Sequence, residues 1–408
     1  MFCDTNVALL SQGVSISSGV AKRSASNRET GLTARAPREQ EVAVPPLPPV
    51  QAPLSLSQVL GQEKPAALLR DAVASGRVHH AWIFQGPQGV GKFTLALAFA
   101  SLILDETTGV GLTGELAPDP DSRVQQMLRS GTHPDLAVIK KELAAYHPDA
   151  EVRKKKQTSI SIDVLRHFML EPGALTPSAS GKSLAGRVFI IDEAEYLSGG
   201  KEASQNAILK FLEEPPQRTV MILVCNAPEL LLPTIRSRCQ RVTCASLGPA
   251  AMNAWVKQAM KDGRLNVEPS QQQWLLDFAA GSPGAIMRCV DTGIYAWWQR
   301  IEPMLKLLVA GKHSVDLGPA MAELTEQWAK AWVESHDNAS KEAANRAAAE
   351  WMLRVLAWFW TKRLRETGDQ ASRERVLRSL DAIRDCEREI DSNVSQQFAF
   401  DKLAAAMV

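Results

Sequence analysis

The stretch GPQGVGKFTLALAFA, residues 86–100, has the spacing of a phosphate-binding loop followed by the apolar run of a helix. Glycines at 86, 89 and 91 let backbone N–H groups approach phosphate oxygens at a helix N-terminus, and Lys92 is placed to bridge the β and γ phosphates. The next position should present a hydroxyl to Mg²⁺, but it carries Phe93, whose ring has no metal-binding atom. Thr94 does not take over, because one residue turns a helix by about 100°. Gly86, Gly89, Gly91, Lys92 and Thr94 thus make a degenerate nucleotide site with the shape of the loop and without its metal ligand. Weak binding of ATP or ADP stays compatible with it; no cofactor is required.

A second constellation, VFIIDEAE, is an apolar strand ending in Asp192-Glu193. In P-loop ATPases an acid in this place holds Mg²⁺ and its neighbour orients the attacking water. Two acids after a strand are common; a hundred positions behind a glycine loop they read as the acidic pair of such a site, vestigial once the hydroxyl is gone. The third constellation is LLPTIRSRCQRV, whose Ser-Arg-Cys turn puts Arg238 at the edge of the domain. It is either a surface ion-pair former or an arginine finger that stabilises charge on a neighbour's phosphate. Arg236 is expected to face its own domain.

These residues need a scaffold. HHAWIFQG gives a short strand, Ala81 to Phe84, running into the glycine loop, and a helix follows from Lys92 to about Leu104. RVFIIDEAE (187–195) and RTVMILVCN (218–226) read as buried parallel strands. Between them SQNAILKFLEEPP places Ala207, Ile208, Phe211 and Leu212 on one helical face, ended by Pro215 and Pro216. Alternating strands and helices over 55–245 predict a doubly wound α/β domain. DETTGVGLTGELAPDPDS and VRKKKQ are expected as loops. Beyond about 246 the pattern is helical. Nine of the ten tryptophans lie between Trp255 and Trp360, in stripes such as Trp351, Val355, Trp358 and Phe359 that suit a helix-bundle core. Residues 1–54, rich in Ser, Arg, Glu and Pro, are expected to be a disordered extension.

The 408 residues carry a net charge of +1, so no global basic field argues for non-specific DNA binding. The six cysteines form no CxxC pair and no zinc-site spacing, which suits reduced thiols in a cytoplasmic protein. Neither a membrane span nor a signal peptide is expected.

The segments VLGQEKP, HHAWIFQGPQGVGK, THPDL, DEAEYLS, NAILKFLEEPP and PTIRSRCQRV resemble those of bacterial clamp-loader subunits of the AAA+ superfamily, over residues 55–245. That resemblance implies a P-loop α/β domain (55–245), a small helical lid (246–300) and an all-α collar for oligomerisation (301–408). Phe93, the GSPGAIMR segment (281–288) with Gly284 where motor subunits carry a sensing Arg, and the DSNVSQQFAFDKLAAAM ending resemble the delta-prime branch of that family. The implied role is a largely non-hydrolysing subunit that helps load the sliding clamp onto primed DNA beside gamma/tau and delta subunits, with Arg238 acting in trans. The alternative is an ATP-hydrolysing gamma/tau-type motor, favoured by Lys92, Asp192 and Glu193. Many members carry a four-cysteine zinc module before THPD; residues 101–132 hold no cysteine, so no zinc is expected.

Overall fold

The computed structural model describes residues 45–407 apart from 112–113, 156–157, 179–180, 199–202, 336–339 and 393. The expected extension over 1–44 lies outside the described residues. The segment 45–54 is extended, and Val50 packs on the hydrophobic core beside Gly131. This part of the expected disordered stretch therefore has a seat.

Five parallel strands form the central sheet: β1 (Ala81–Gln85), β4 (Leu136–Ile139), β5 (Arg187–Ile191), β6 (Thr219–Cys225) and β7 (Gln240–Thr243), in the order β4-β5-β6-β1-β7. A two-stranded antiparallel ribbon, β2 (Gly109–Val110) and β3 (Leu116–Ala117), stands apart. The inner strands β1, β5 and β6 are covered on both faces, which is why they read as largely apolar runs, whereas the edge strand β7 exposes Gln240, Arg241 and Thr243. Alternate residues feed two cores. Trp82, Phe84, Val188, Ile190, Val220, Ile222 and Val224 face one, with the helices Glu63–Ala74 and Lys92–Leu104. Ala81, Ile83, Phe189, Ile191, Met221 and Leu223 face the other, with the helices Ala203–Glu213 and Pro233–Arg238.

After Thr243 the described residues contain helices only, from Pro249–Lys261 through Gln396–Ala406. The first core runs on into them without a break, from Leu56 to Met407. Several tryptophans knit this part together as core side chains: Trp274 stacks on Phe278 at 4.8 Å, and Trp298 meets Trp358 edge-on at 5.0 Å, while Trp332 is exposed. No described helix is long and apolar enough to cross a membrane.

The stretch after the loop helix differs from the expected plain loop, since it holds the β2–β3 ribbon and the helix Arg123–Arg129. Asp105 anchors it, accepting from Ser122 Oγ (2.5 Å), Gln125 Nε2 (3.0 Å) and both the N–H and the hydroxyl of Thr107 (2.9 and 2.7 Å). Burial works against the charge on Asp105, but these donors outweigh it and lower its pKa. Part of VRKKKQ is also helical, within Ala150–Lys154.

Candidate nucleotide site and arginine edge

Gly86 to Gly91 links the C-terminal end of β1 to the helix that starts at Lys92, with Gly91 as its left-handed N-cap (φ 99°). The glycines are demanded by packing as well as by conformation. A Cβ on Gly86 (φ +145°) would lie 2.0 Å from the carbonyl oxygen of Cys244. One on Gly89 (φ +76°) would meet Ser282 Oγ at 2.6 Å and Gly284 Cα at 2.9 Å. Only Gly91 has open space around it.

Lys92 does not reach out of this loop. Its Nζ donates to Gly86 O (2.8 Å), Pro87 O (2.6 Å) and Asn226 Oδ1 (2.7 Å). An ammonium has three protons, so all are spent inside the protein, and the residue is 4% exposed. Burial lowers its pKa, opposed by Cys244, Glu195 and Asp192. Asn226, just past β6, is itself fixed by Glu195, which accepts from its Nδ2 (2.5 Å) and its backbone N–H (3.2 Å). Phe93 packs against the hydrophobic core. Thr94 is half-buried one step round the helix.

The segment Gly281–Gly284 closes on the loop from outside. Gly284 N–H donates to Gly89 O at 2.9 Å, and Ser282 Oγ donates to Gln88 O at 2.8 Å. A Cβ on Gly284 would fall 2.7 Å from Gly89 Cα. Position 284, where a motor subunit would carry a sensing arginine, therefore has no room for any side chain in this arrangement.

Asp192 lies at the end of β5, its carboxylate accepting from Glu193 N–H at 3.0 Å. Burial first, then the neighbouring Glu193, pushes its pKa up to about 6. Glu193 takes a left-handed backbone (φ 50°), costly for a side chain with a Cβ. Its carboxylate pairs with Lys141 Nζ at 3.2 Å, and that ammonium also sits 3.9 Å above the Tyr196 ring. Burial would lower the Lys141 pKa, but Glu193, Tyr196 and Glu142 together raise it. The acid that would orient water is thus occupied by a cation. No group of three or more His, Cys, Asp or Glu among the described residues could hold a metal ion.

Arg238 is brought together with none of these. It ends the helix Pro233–Arg238 and precedes β7, which runs parallel to β1 with Trp82 opposite Gln240 and Gln85 opposite Thr243. The glycine loop follows β1, so loop and Arg238 lie at opposite ends of the sheet, separated by four residues of strand or roughly 13 Å. Its guanidinium is exposed, donating from Nη1 to Thr234 O (3.1 Å) and pairing through Nη2 with Glu213 (3.0 Å). Arg236 is half-buried, with a buried Nε that has no hydrogen-bond partner.

Lys141, Glu195, Asn226 and Ser282 were not singled out in the sequence. Glu195 stands in the same DEAE run as the acidic pair, and Asn226 directly follows the apolar run of β6 at the loop end of the sheet.

Residues 61–247 match the family described as DNA polymerase III, delta subunit. A delta' subunit of DNA polymerase III from Pseudomonas aeruginosa is 32% identical over 253 residues, 61% of this chain and 65% of that protein. The delta' subunit of Bacillus subtilis is 30% identical over 191 residues (47% and 50%), and the tau subunit of Escherichia coli 28% identical over 302 (73% and 42%). The chain thus spans about two-fifths to two-thirds of the length of these relatives. Through the α/β region that carries the phosphate-type loop and the Ser-Arg-Cys edge, the chain is similar to the delta' and gamma/tau subunits of DNA polymerase III.

Proposed function

We propose that this chain is a delta-prime-type subunit of a cytoplasmic clamp loader: it does not hydrolyse ATP itself and completes a neighbour's site with Arg238. The observation that carries this reading is the closed loop. Lys92 is saturated by Gly86, Pro87 and Asn226, the metal hydroxyl is replaced by Phe93, and Gly284 lies against Gly89. A phosphate would have to displace bonds at each of these points and would meet no metal ligand at position 93.

In this role the α/β region and the helices after it hold a fixed shape, while gamma/tau and delta subunits supply hydrolysis and clamp opening. Sliding clamp and primed DNA are engaged through the complex. Arg238 suits a part in trans because it stands at the sheet end away from its own loop and its charge is permanent. Retention of Lys92, Asp192 and Glu193 favours a second reading, a hydrolysing motor.

ATP turnover by the purified chain in Mg²⁺ separates the two. The proposal expects none above background, and no stimulation by clamp or primed DNA in the absence of gamma/tau. Steady turnover that Glu193→Gln abolishes would establish the motor instead.

A further inference from the structure

Two of the sequence segments that mark this chain meet in space. The helix Ala203–Glu213 ends in the LEEPP run, and the helix Pro233–Arg238 ends in the Ser-Arg-Cys turn. Their contact is fixed at three levels. Leu212 and Ile235 are buried in one core. Gln205 staples the first helix to the approach of the second: its Nε2 donates to Leu230 O at 3.3 Å and its Oε1 accepts from Leu232 N–H at 2.7 Å. At the rim, Glu213 Oε1 meets Arg238 Nη2 at 3.0 Å.

We propose that Glu213 is a positioning residue for Arg238. An arginine has about four rotatable side-chain bonds, and an unrestrained guanidinium at an edge samples many directions, each lost on binding. Thr234 O and Glu213 hold Nη1 and Nη2, one contact each. Of the five N–H donors, three stay available to an anion on a neighbouring chain. Both side chains remain partly in water (39% and 51% exposed), so the pair is weak enough to tolerate a second anion and strong enough to bias the rotamer. This inference rests on the reading of Arg238 as a finger acting in trans.

The test uses the complete clamp loader with its gamma/tau and delta subunits, measuring clamp- and DNA-stimulated ATPase for Glu213→Ala, Glu213→Gln, Arg238→Ala and Glu213→Ala/Arg238→Ala. Exposed pairs bias equilibria by at most about fivefold, so Glu213→Ala should lower kcat about twofold to fivefold. The KM for ATP should stay unchanged, since a finger acts on transition-state charge. Glu213→Gln, which keeps an acceptor oxygen, should recover most of the loss. In the Arg238→Ala background, Glu213→Ala should add nothing. If Arg238→Ala itself leaves turnover intact, the finger reading fails and the proposal falls with it. If Arg238→Ala lowers turnover but Glu213→Ala does not, or lowers it equally without Arg238, only the positioning role is overturned.

Discussion

The two ends of the central sheet carry opposite kinds of chemistry. At the loop end the candidate polar groups are bonded within the protein: Lys92 to carbonyls and Asn226, Glu193 to Lys141, Gly284 and Ser282 to the loop backbone. At the other end Arg238 stands exposed, held by one carbonyl and one carboxylate. Buried groups become costly to move once paired, whereas an exposed ion pair exchanges partners cheaply. The contrast separates a site that has become part of the core from one still able to meet an outside anion. The glycines of the loop belong to the first kind, since Gly86 and Gly89 are required by their neighbours whatever binds.

The largest effect that would break this contrast concerns Arg238→Ala. It should leave the chain folded and the complex assembled, yet reduce stimulated ATPase and clamp loading by tenfold or more, up to the ~10³-fold that fingers reach in the best-studied switch proteins. Arg238→Lys should recover little, because one ammonium does not reproduce the planar fork. Wild-type loading rates for the Arg238→Ala complex would reduce the residue to a surface charge.

At the loop end, Gly86→Ala should cost about 3 kcal/mol in urea unfolding, from overlap with Cys244 O and from a backbone region closed to side chains. Gly91→Ala, with strain and open space, should cost about half as much. Equal losses at the two positions would show that packing adds nothing to the need for glycine.

The next effect depends on pH. Asp192 has a folded pKa of about 6, above the ordinary 3.8, so ionisation disfavours the folded state. That penalty grows as pH rises from about 4 through 6 and is complete above. Asp192→Asn should therefore stabilise the protein by about 2 kcal/mol at pH 8 and by well under 1 kcal/mol at pH 4, in denaturant melts at both values. A gain independent of pH would mean that charge is not its origin.

Two small effects complete the series. Phe93→Thr should leave the isolated chain without measurable ATPase, because Lys92 and the Gly89–Gly284 contact remain as they are; turnover in that variant would make the missing hydroxyl the sole defect. Removing residues 1–44 while keeping Val50 should leave thermal stability and assembly unchanged, whereas a cut after residue 54 removes the Val50 contact and should lower the melting temperature slightly.

Much of this is legible in the sequence. Strands at 81–85, 187–191 and 219–225 announced themselves because they are covered on both faces, which makes all but one end residue of each apolar. The missing metal ligand at Phe93 is a matter of residue type and needs no fold. The closure of the loop was not legible, because it joins residues almost two hundred positions apart through backbone atoms of Gly89 and Gly284, and backbone atoms leave no signature in side-chain pattern. The ribbon at 109–117 was hidden for another reason: two-residue strands are too short for any alternation to appear. Lys141 escaped notice because a lysine after a short strand looks like any solvated one until Glu193 turns toward it.

The hydrogen bond between Gly284 and Gly89 also constrains how this sequence can change. Recovering a motor from it would take at least a hydroxyl at 93 and an arginine at 284. The second change, made first, drives a side chain into the loop backbone; the first, made alone, yields a hydroxyl beside a loop whose lysine is still bonded to Gly86, Pro87 and Asn226. On the proposed reading neither single step should raise turnover, and the one at 284 should cost folding. A glycine pressed against a glycine thus acts as a ratchet, leaving the exposed edge around Arg238 as the part of the molecule where new chemistry can still be tried one residue at a time.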